Sequence, residues 1–562
     1  GVTGMKVMSS TYVYIEPEKY LMDILALLRS FYPEMDIKPV VPESREDVKA
    51  EAEEAGYFFS ITVSEDGSAN VIFNGDIITF ERGAFEEACD LLGCDEAFAG
   101  DEHELFVKSK KALCRELYSI FAEDTGHELP WGMMNGVRPT KPAFVCALEG
   151  RGKHEAADYY RDEYLVTDEK IDSSWDIALA EVNVLGACEH RDMSRPGDVR
   201  GYTGGYSLYI GIPFCPTRCL YCSFTAYPLS AFKYGGDGYV EALIRELKEC
   251  TSVFPGRAPD SVYMGGGTPT SLSAKQLDRI ISVVEDRYFT GPGIEFTVEA
   301  GRSDSITADK LKVLKDHGIS RISVNPQTFN QKTLDIIGRK ASADETVKAF
   351  NLARDMGFDN INMDLILGLP GEGTSEVSHT MDVVKRLKPD SLTVHSLALK
   401  RASAMGEWLE KNGYGAITNT EEIQEIARQG AHEIGLKPYY LYRQKDMSGG
   451  FENIGYSVPG KECVYNVAMM EEVQSILGFG AGTITKRVVA KQVAASAVSQ
   501  NRADAGPVSP VKGHTELTLA EIIANGNSLR QDITRCENYK DVKDYTERIS
   551  ELIQRKKELF MI

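Results

Sequence analysis

The sequence predicts an α/β chain whose centre is a partial (βα)6 barrel, preceded by an N-terminal α+β domain and followed by a C-terminal α+β domain. Three observations carry this. From Ser207 a strand, a loop and a helix follow one another repeatedly, with strand segments Ser207–Ile212, Ser261–Met264, Ile294–Glu299, Arg321–Asn325, Asn360–Leu367 and Leu392–His395. The segments between them are amphipathic, as Val240, Leu243, Ile244 and Leu247 show at helical spacing. Such alternation makes a parallel sheet with right-handed crossovers. Six strands are too few to close an eight-stranded barrel, so one side stays open to a large substrate.

The elements follow in order. Tyr57–Val63 and Ala69–Phe73 flank a turn at Glu65–Ser68, a hairpin signal. Helical patterns run over Phe85–Leu92 and Glu104–Phe121, so residues 1–128 form the N-terminal domain. Residues 129–205 are expected to be a connector, bounded by the turn-rich stretches Leu129–Lys141 and Arg195–Gly205. The barrel takes residues 206–400; within it Thr307 can cap a helix that ends at Gly318. Residues 401–562 form the C-terminal domain. It carries a helix near Glu421–Ile434, strand-like runs at Tyr439–Tyr442 and Phe451–Tyr456, and a Gly-rich turn at Leu477–Gly482. A loop near 490–515, rich in Ala, Ser, Gly and Pro, is expected to be disordered, and Asp541–Phe560 reads as a charged helical tail.

Composition bounds the function. With 562 residues, two to four domains are expected. Hydrophobic content of 43% and charged content of 26% are those of a globular protein. A net charge of −22 argues against nucleic acid or an anionic membrane surface as the main partner. No apolar run approaches the length of a membrane span. Eleven scattered cysteines without framework spacing point to a reducing cytoplasm.

Three of those cysteines carry the chemistry. Cys215, Cys219 and Cys222 form a CxxxCxxC triplet directly after the first barrel strand, at the end where such barrels do their chemistry. Three thiolates can hold three irons of a [4Fe–4S] cluster, which normally takes four cysteines, and leave the fourth iron open. An open iron can bind S-adenosylmethionine (SAM) and split it reductively into a radical. Structural zinc wants four ligands, usually as two pairs. No second pair exists, and Cys250, the next cysteine along the chain, falls in a helical pattern.

Other residues gather at the same strand ends. Gly266, Gly267 and Thr268 stand in Met264–Thr270, where bare backbone suits the amino-acid end of SAM; a plain Gly-Pro turn is the alternative. Glu299, Asn325, Gln327 and Asp364 lie at or past strands three to five. Asp364 interrupts an apolar strand and needs a partner, either ribose hydroxyls or Arg321 or Arg339. Arg339 can hold a carboxylate or be a solvated helix-end charge. Tyr209 and Tyr221 flank the triplet, as ligand contacts or as packing. Lys400 and Arg401 follow the sixth strand and can meet substrate carboxylates; Tyr442–Lys445 is a second basic spot; surface charge is the alternative for each. His317 and His432 read as structural.

Taken together these residues resemble the radical SAM family of oxygen-independent coproporphyrinogen III oxidases (dehydrogenases). The matching elements are Tyr209–Cys222, Gly265–Thr270, Val298–Ala300, Gln327–Asn330, Gly338–Arg339 and Asn362–Pro370. Trp131–Lys141, His395–Ser403, Tyr440–Lys445 and Glu452–Tyr456 look like its longer "Z" subgroup. The resemblance implies that Cys215, Cys219 and Cys222 hold the [4Fe–4S] cluster. It implies that Gly266, Gly267, Thr268, Glu299, Gln327, Arg339 and Asp364 bind SAM, and that Tyr209, Tyr221, Phe224 and Ala398 line the same pocket. Tyr209, Lys400 and Arg401 would serve the reaction itself.

The implied reaction is the oxidative decarboxylation of coproporphyrinogen III to protoporphyrinogen IX in haem biosynthesis, with an electron donor such as flavodoxin or ferredoxin. Two residues depart from the pattern. Family members usually carry His where Gly211 stands, and proven oxidases often carry Cys where Phe224 stands. Phe there is closer to a sister group that carries haem. The alternatives are therefore a haem-binding trafficking protein and a radical enzyme acting on haem.

Overall fold

The computed structural model describes residues 11–80, 102–189, 205–490 and 531–561, apart from 33–34, 36, 65–67, 74, 135, 149, 225, 233–235, 292, 401 and 445–447. Two compact units result. One takes the chain up to Pro139 together with Lys153–Ser174; the other takes Thr140–Gly152 and everything from Trp175 onward.

The first unit is an α+β layer. Its sheet has the order β2-β1-β3-β4-β5, built from β1 (Thr11–Glu16), β2 (Ile37–Val40), β3 (Tyr57–Val63), β4 (Ala69–Phe73) and β5 (Asp76–Phe80). The expected hairpin is β3–β4, antiparallel in the register Phe59↔Phe73 to Val63↔Ala69. Helices Leu21–Phe31 and Glu102–Thr125 cover it through Ile24, Leu28, Leu117 and Phe121. The helix expected at Phe85–Leu92 lies outside the described residues, as does most of the hairpin turn.

Residues 129–205 are not a connector. They hold helices Lys141–Leu148, Lys153–Tyr164 and Asp168–Glu189, and Leu129–Met134 packs into the first unit. Trp131 is buried, and the Met133 amide donates to the Tyr164 carbonyl at 2.8 Å. Gly132 has φ +53°, and a Cβ there would sit 1.9 Å from that carbonyl oxygen. Its glycine serves a close backbone approach, which composition cannot distinguish from a linker. The Arg195–Gly205 boundary lies outside the described residues except for Gly205.

The second unit holds the barrel. After β6 (Tyr206–Ile212), β7 (Phe214–Cys215) and β8 (Tyr227–Pro228) come β9 (Ser261–Gly266), β10 (Glu295–Gly301), β11 (Arg321–Val324), β12 (Ile361–Leu367) and β13 (Ser391–Ser396). β6, β9, β10, β11, β12 and β13 pair in that order, all parallel. This is the partial (βα)6 barrel the alternating pattern predicts.

The C-terminal segment joins this sheet at both edges instead of forming a domain of its own. β14 (Lys437–Tyr442) and β15 (Asn453–Ser457) extend it beyond β13 in antiparallel sense. β16 (Ser475–Phe479) lies parallel to β6, and β17 (Ile484–Ala490) and β18 (Gln531–Glu537) follow it. The expected Gly-rich turn is thus half strand. Gly478 is accommodated because a Cβ there would meet the Ile484 carbonyl oxygen at 2.5 Å. The Ala/Ser/Gly/Pro-rich loop lies outside the described residues.

The strands have two chemically distinct faces. One set of alternate residues is buried and apolar against the helices: Leu208, Ile210, Val262, Met264, Val298, Ile322, Met363 and Leu392 belong to one core. The other set, which strand alternation turns into the barrel, is polar: Tyr209, Tyr263, Thr297, Glu299, Ser323, Asn362, Asp364, Thr393 and His395. An interior of this kind is built to hold something polar.

Thr307 does not cap its helix; its hydroxyl turns to the Asp309 carboxylate, and the helix is Ala308–Asp316, with Gly318 at φ +66° just beyond. The tail is two helices, Val542–Glu547 and Ile549–Met561. Lys556 from the second pairs with Glu246 of helix Asp237–Glu249, and both are buried. Among the described residues no helix is long and apolar enough to cross a membrane.

Candidate active site at the barrel mouth

The cysteine loop is fixed from both sides. Cys215 ends β7, which pairs with β8, so the loop leaves and re-enters a short two-stranded sheet. Its far end docks on the turn after helix Gln331–Ile336: the Leu220 amide donates to the Ile337 carbonyl at 3.0 Å, and the Thr217 hydroxyl lies 3.4 Å from the Gly338 carbonyl. Within the loop the Cys222 amide donates to the Cys219 carbonyl at 3.1 Å. All three thiols are free and half-buried.

Cations and hydroxyls surround the sulfurs. Arg302 places Nη1 3.7 Å from Cys219 Sγ and 2.9 Å from the Thr217 carbonyl oxygen, while Asp304 fixes its other end at 2.6 Å. Arg339 hydrogen-bonds Cys219 and Tyr221, and the Thr268 hydroxyl lies 3.4 Å from Cys215 Sγ. Burial pushes the Cys215 and Cys222 thiols up; the Thr268 contact pulls the first back and the Phe224 amide the second. Metal binding removes those protons. Among the described residues no three His, Cys, Asp or Glu converge closely enough on one point to hold a single ion. A four-iron cluster asks for something else, one thiolate per iron.

The glycine loop after β9 packs on the cysteine strand. The Gly267 amide donates to the Ile212 carbonyl at 2.8 Å and the Thr268 amide to the Phe214 carbonyl at 2.7 Å. A Cβ on Gly267 would lie 2.6 Å from the Phe214 carbonyl oxygen, and Gly266 holds φ +103°. These glycines let two backbones meet beside the cluster loop, a structural reason the sequence does not separate from ligand contact.

The inner wall carries the remaining candidates. The Tyr263 hydroxyl donates to Glu299 Oε1 at 2.6 Å. Burial raises the Glu299 carboxyl to about 7 against that hydrogen bond, with Asp364 adding repulsion. Tyr209 stacks against Tyr263 and Tyr465, with centroids 6.2 and 6.0 Å away. Asp364 accepts from neither Arg321 nor Arg339 but from the Asn362 amide at 2.8 Å. Gln327 sits buried at φ +65°, and its backbone bridges to Leu365 of β12.

Several buried polar atoms here have no protein partner: Ser323 Oγ, Asn325 Oδ1, Gln327 Oε1 and Arg339 Nε. Buried polar atoms are seldom left so without a ligand to meet them. Three free thiols among arginines, beside unsatisfied acceptors and a cation, fit an anionic cluster carrying a ligand with amino, hydroxyl and carboxylate groups.

The other candidates scatter. Ala398 and Lys400 are half-buried in the turn after β13, where the Lys400 carbonyl accepts from Ser403. Arg401 lies outside the described residues. Phe224 is 68% exposed and is no part of the buried wall. Tyr221, by contrast, stays at the cysteine loop, hydrogen-bonded to Arg339 and packed against Leu334, Ile337 and Leu397.

Sequence reasoning missed Arg302, Tyr263 and His395. Two-residue alternation from Asp364, carried across the β12–β13 pairing of Ile366 with His395, would have placed His395 on the inner face.

Comparison with known proteins agrees with this geometry. Residues 209–384 match the profile of the Radical SAM superfamily. The chain is 38% identical over 393 residues to the oxygen-independent coproporphyrinogen-III oxidase-like protein HemZ of Bacillus subtilis, covering 68% of this chain and 75% of that one. It is 31% identical over 281 residues to the heme chaperone HemW of the same organism, covering 49% and 69%. Among solved structures it is similar to coproporphyrinogen III oxidase (HemN) from Escherichia coli, a radical SAM enzyme, with a TM-score of 0.42 and 20% identity over 66% of this chain and 81% of that one.

Proposed function

This chain belongs to the radical SAM family of oxygen-independent coproporphyrinogen III oxidases and their relatives, and from that premise we propose that it oxidatively decarboxylates coproporphyrinogen III to protoporphyrinogen IX. The observation that supports this is the meeting, at one barrel end, of a three-cysteine loop with an inner wall of unsatisfied polar side chains. Members of the family use a [4Fe–4S] cluster and SAM, which together supply a hydrogen-abstracting carbon radical.

The protein's own part is holding and excluding. Cys215, Cys219 and Cys222 hold the cluster. Gly266, Gly267 and Thr268 shape the backbone beside it, Glu299, Gln327 and Asp364 meet SAM's polar groups, and Arg339 grips its carboxylate. Tyr209, backed by Tyr263 and Tyr465, keeps water from the reacting carbon. Lys400, in the turn after β13, holds a substrate propionate, and Arg401, next to it in sequence, is proposed to hold another. Each decarboxylation removes one hydrogen atom from a propionate β-carbon, releases CO2, passes one electron to an acceptor and leaves a vinyl group. A donor of the flavodoxin or ferredoxin kind supplies the initiating electron.

A second reading, haem carriage, draws on Phe224 and on the similarity to heme chaperones. One experiment decides. Reconstituted protein is incubated anaerobically with coproporphyrinogen III, SAM and reductant, and the products are weighed by mass spectrometry. Loss of two carboxyl groups per substrate supports the oxidase. Stoichiometric haem retention with no vinyl product supports the carrier.

A further inference from the structure

The extension of the barrel by β15 and β14 builds a wall that the reading above leaves unused. Tyr440 lies over Gly455, whose absent Cβ would fall 1.8 Å from the Tyr440 ring. The glycine therefore lets a tyrosine from β14 cross β15 and reach Thr393 on the inner face of β13. Tyr442 stacks parallel to Tyr440, 6.2 Å away at 6°. Its hydroxyl lies 3.5 Å from His395 Nδ1, and the Asn453 side chain also hydrogen-bonds this imidazole. Asn453 is itself tied down by the Ser396 amide at 2.9 Å.

His395 therefore stands at the carboxyl end of the last parallel strand, half-buried, held by two side chains from the added strands, and facing Asp364 on β12. We infer that His395 is a substrate-facing residue that binds a carboxylate of the tetrapyrrole, positioned by Tyr442 and Asn453. This rests on the tetrapyrrole reading above.

Charge explains why an imidazole belongs there. The groups that meet it are Asp364 from β12, Tyr442 from β14 and Asn453 at the start of β15, with Tyr440 stacked behind Tyr442. Asp364 places negative charge beside the imidazole, so a carboxylate docking there needs a cation at the wall. Burial keeps the free imidazole below its ordinary value, with Asp364 opposing. It is thus neutral near pH 7 and gains a proton when a carboxylate docks on it. The complex then binds one proton more than its parts, so affinity falls as pH rises above the free imidazole's value.

The test uses coproporphyrin III, the stable oxidised tetracarboxylate, with the full-length, cluster-loaded protein. Calorimetry in two buffers of different ionisation enthalpy counts the protons taken up. The unmutated protein should take up about one, and its affinity should fall by up to about tenfold per pH unit through that window. His395→Gln should abolish that uptake and weaken binding roughly 10- to 100-fold. Tyr442→Phe, which removes only the hydroxyl, should weaken binding by a smaller factor and keep the uptake. Equal affinity and equal uptake in His395→Gln, with its melting temperature unchanged, overturn the inference and leave the oxidase reading standing. Absence of any coproporphyrin binding by the unmutated protein overturns both.

Discussion

Tyr263 on β9 and Glu299 on β10 face each other inside the barrel, the phenol donating to the carboxylate at 2.6 Å. That one hydrogen bond stabilises the ionised carboxylate, yet burial outweighs it and the carboxyl rises to about 7. The pair is therefore poised between protonation states at neutral pH.

A pH dependence follows. The folded value of Glu299 lies above its ordinary 4.5. Between about pH 4.5 and 7 the folded chain holds the proton more tightly than the unfolded chain does, so this group's contribution to stability falls as pH rises through that window. At about 1.36 kcal/mol per unit the loss over that window is about 3–4 kcal/mol. Glu299→Gln should remove this slope: its melting temperature should gain on that of the unmutated protein from pH 5 to pH 7.5. Parallel melting curves across that range would show that Glu299 is ionised throughout.

The cluster loop makes a sharper test. Cys219→Ala should abolish binding of about four irons per chain, measured after anaerobic reconstitution. Arg302→Met should keep the ligands but lose both the Thr217 anchor and the charge near Cys219. A lost hydrogen bond from a charged group is worth about 1.5–3 kcal/mol, so Arg302→Met should hold iron more weakly under a chelator challenge. Full, chelator-resistant loading of Cys219→Ala would sink the cluster assignment.

The barrel was legible because its signals are local. Apolar strands alternate with amphipathic helices, and each of the six parallel strands overlaps its expected range. What was hidden depends on pairing across the chain. β16 pairs with β6 and β15 with β13, contacts that no window of sequence contains. Asp364 illustrates the same limit within the site. Its partner proved to be Asn362, two residues earlier on the same face, and not a distant arginine. Gly455 read as part of a motif, and only the structure shows that it makes room for Tyr440.

Asp364 carries the ligand prediction. Asn362 supports only one of its oxygens, which leaves acceptor capacity directed into the barrel. Asp364→Ala should weaken SAM binding by roughly 5- to 150-fold, the effect of losing a buried hydrogen bond worth about 1–3 kcal/mol. Iron content should stay unchanged, since Asp364 touches no cysteine. Calorimetric titration of SAM into the reconstituted variant measures this, and unchanged affinity would reduce Asp364 to a partner of Asn362.

The C-terminal tail provides the last prediction. Glu246 accepts from Tyr545 at 2.7 Å, Asn538 at 2.9 Å and the Gly480 amide at 2.9 Å, besides its ion pair with Lys556. A fully hydrogen-bonded buried pair of this kind is costly to break from one side, because the remaining charge stays buried. Lys556→Met should destabilise the barrel unit by about 3–5 kcal/mol in chemical denaturation. Adding Glu246→Gln should recover part of that loss, since the amide keeps an acceptor for Tyr545 or Asn538 while the charge is gone. The same pair holds Gly480 and Asn538 beside Gly211, where the Thr483 methyl lies 2.6 Å from where a Cβ would stand. Lys556→Met should therefore also loosen the wall at Gly211 and raise amide exchange there. Additive losses in the double variant would show that the two side chains stabilise the fold independently.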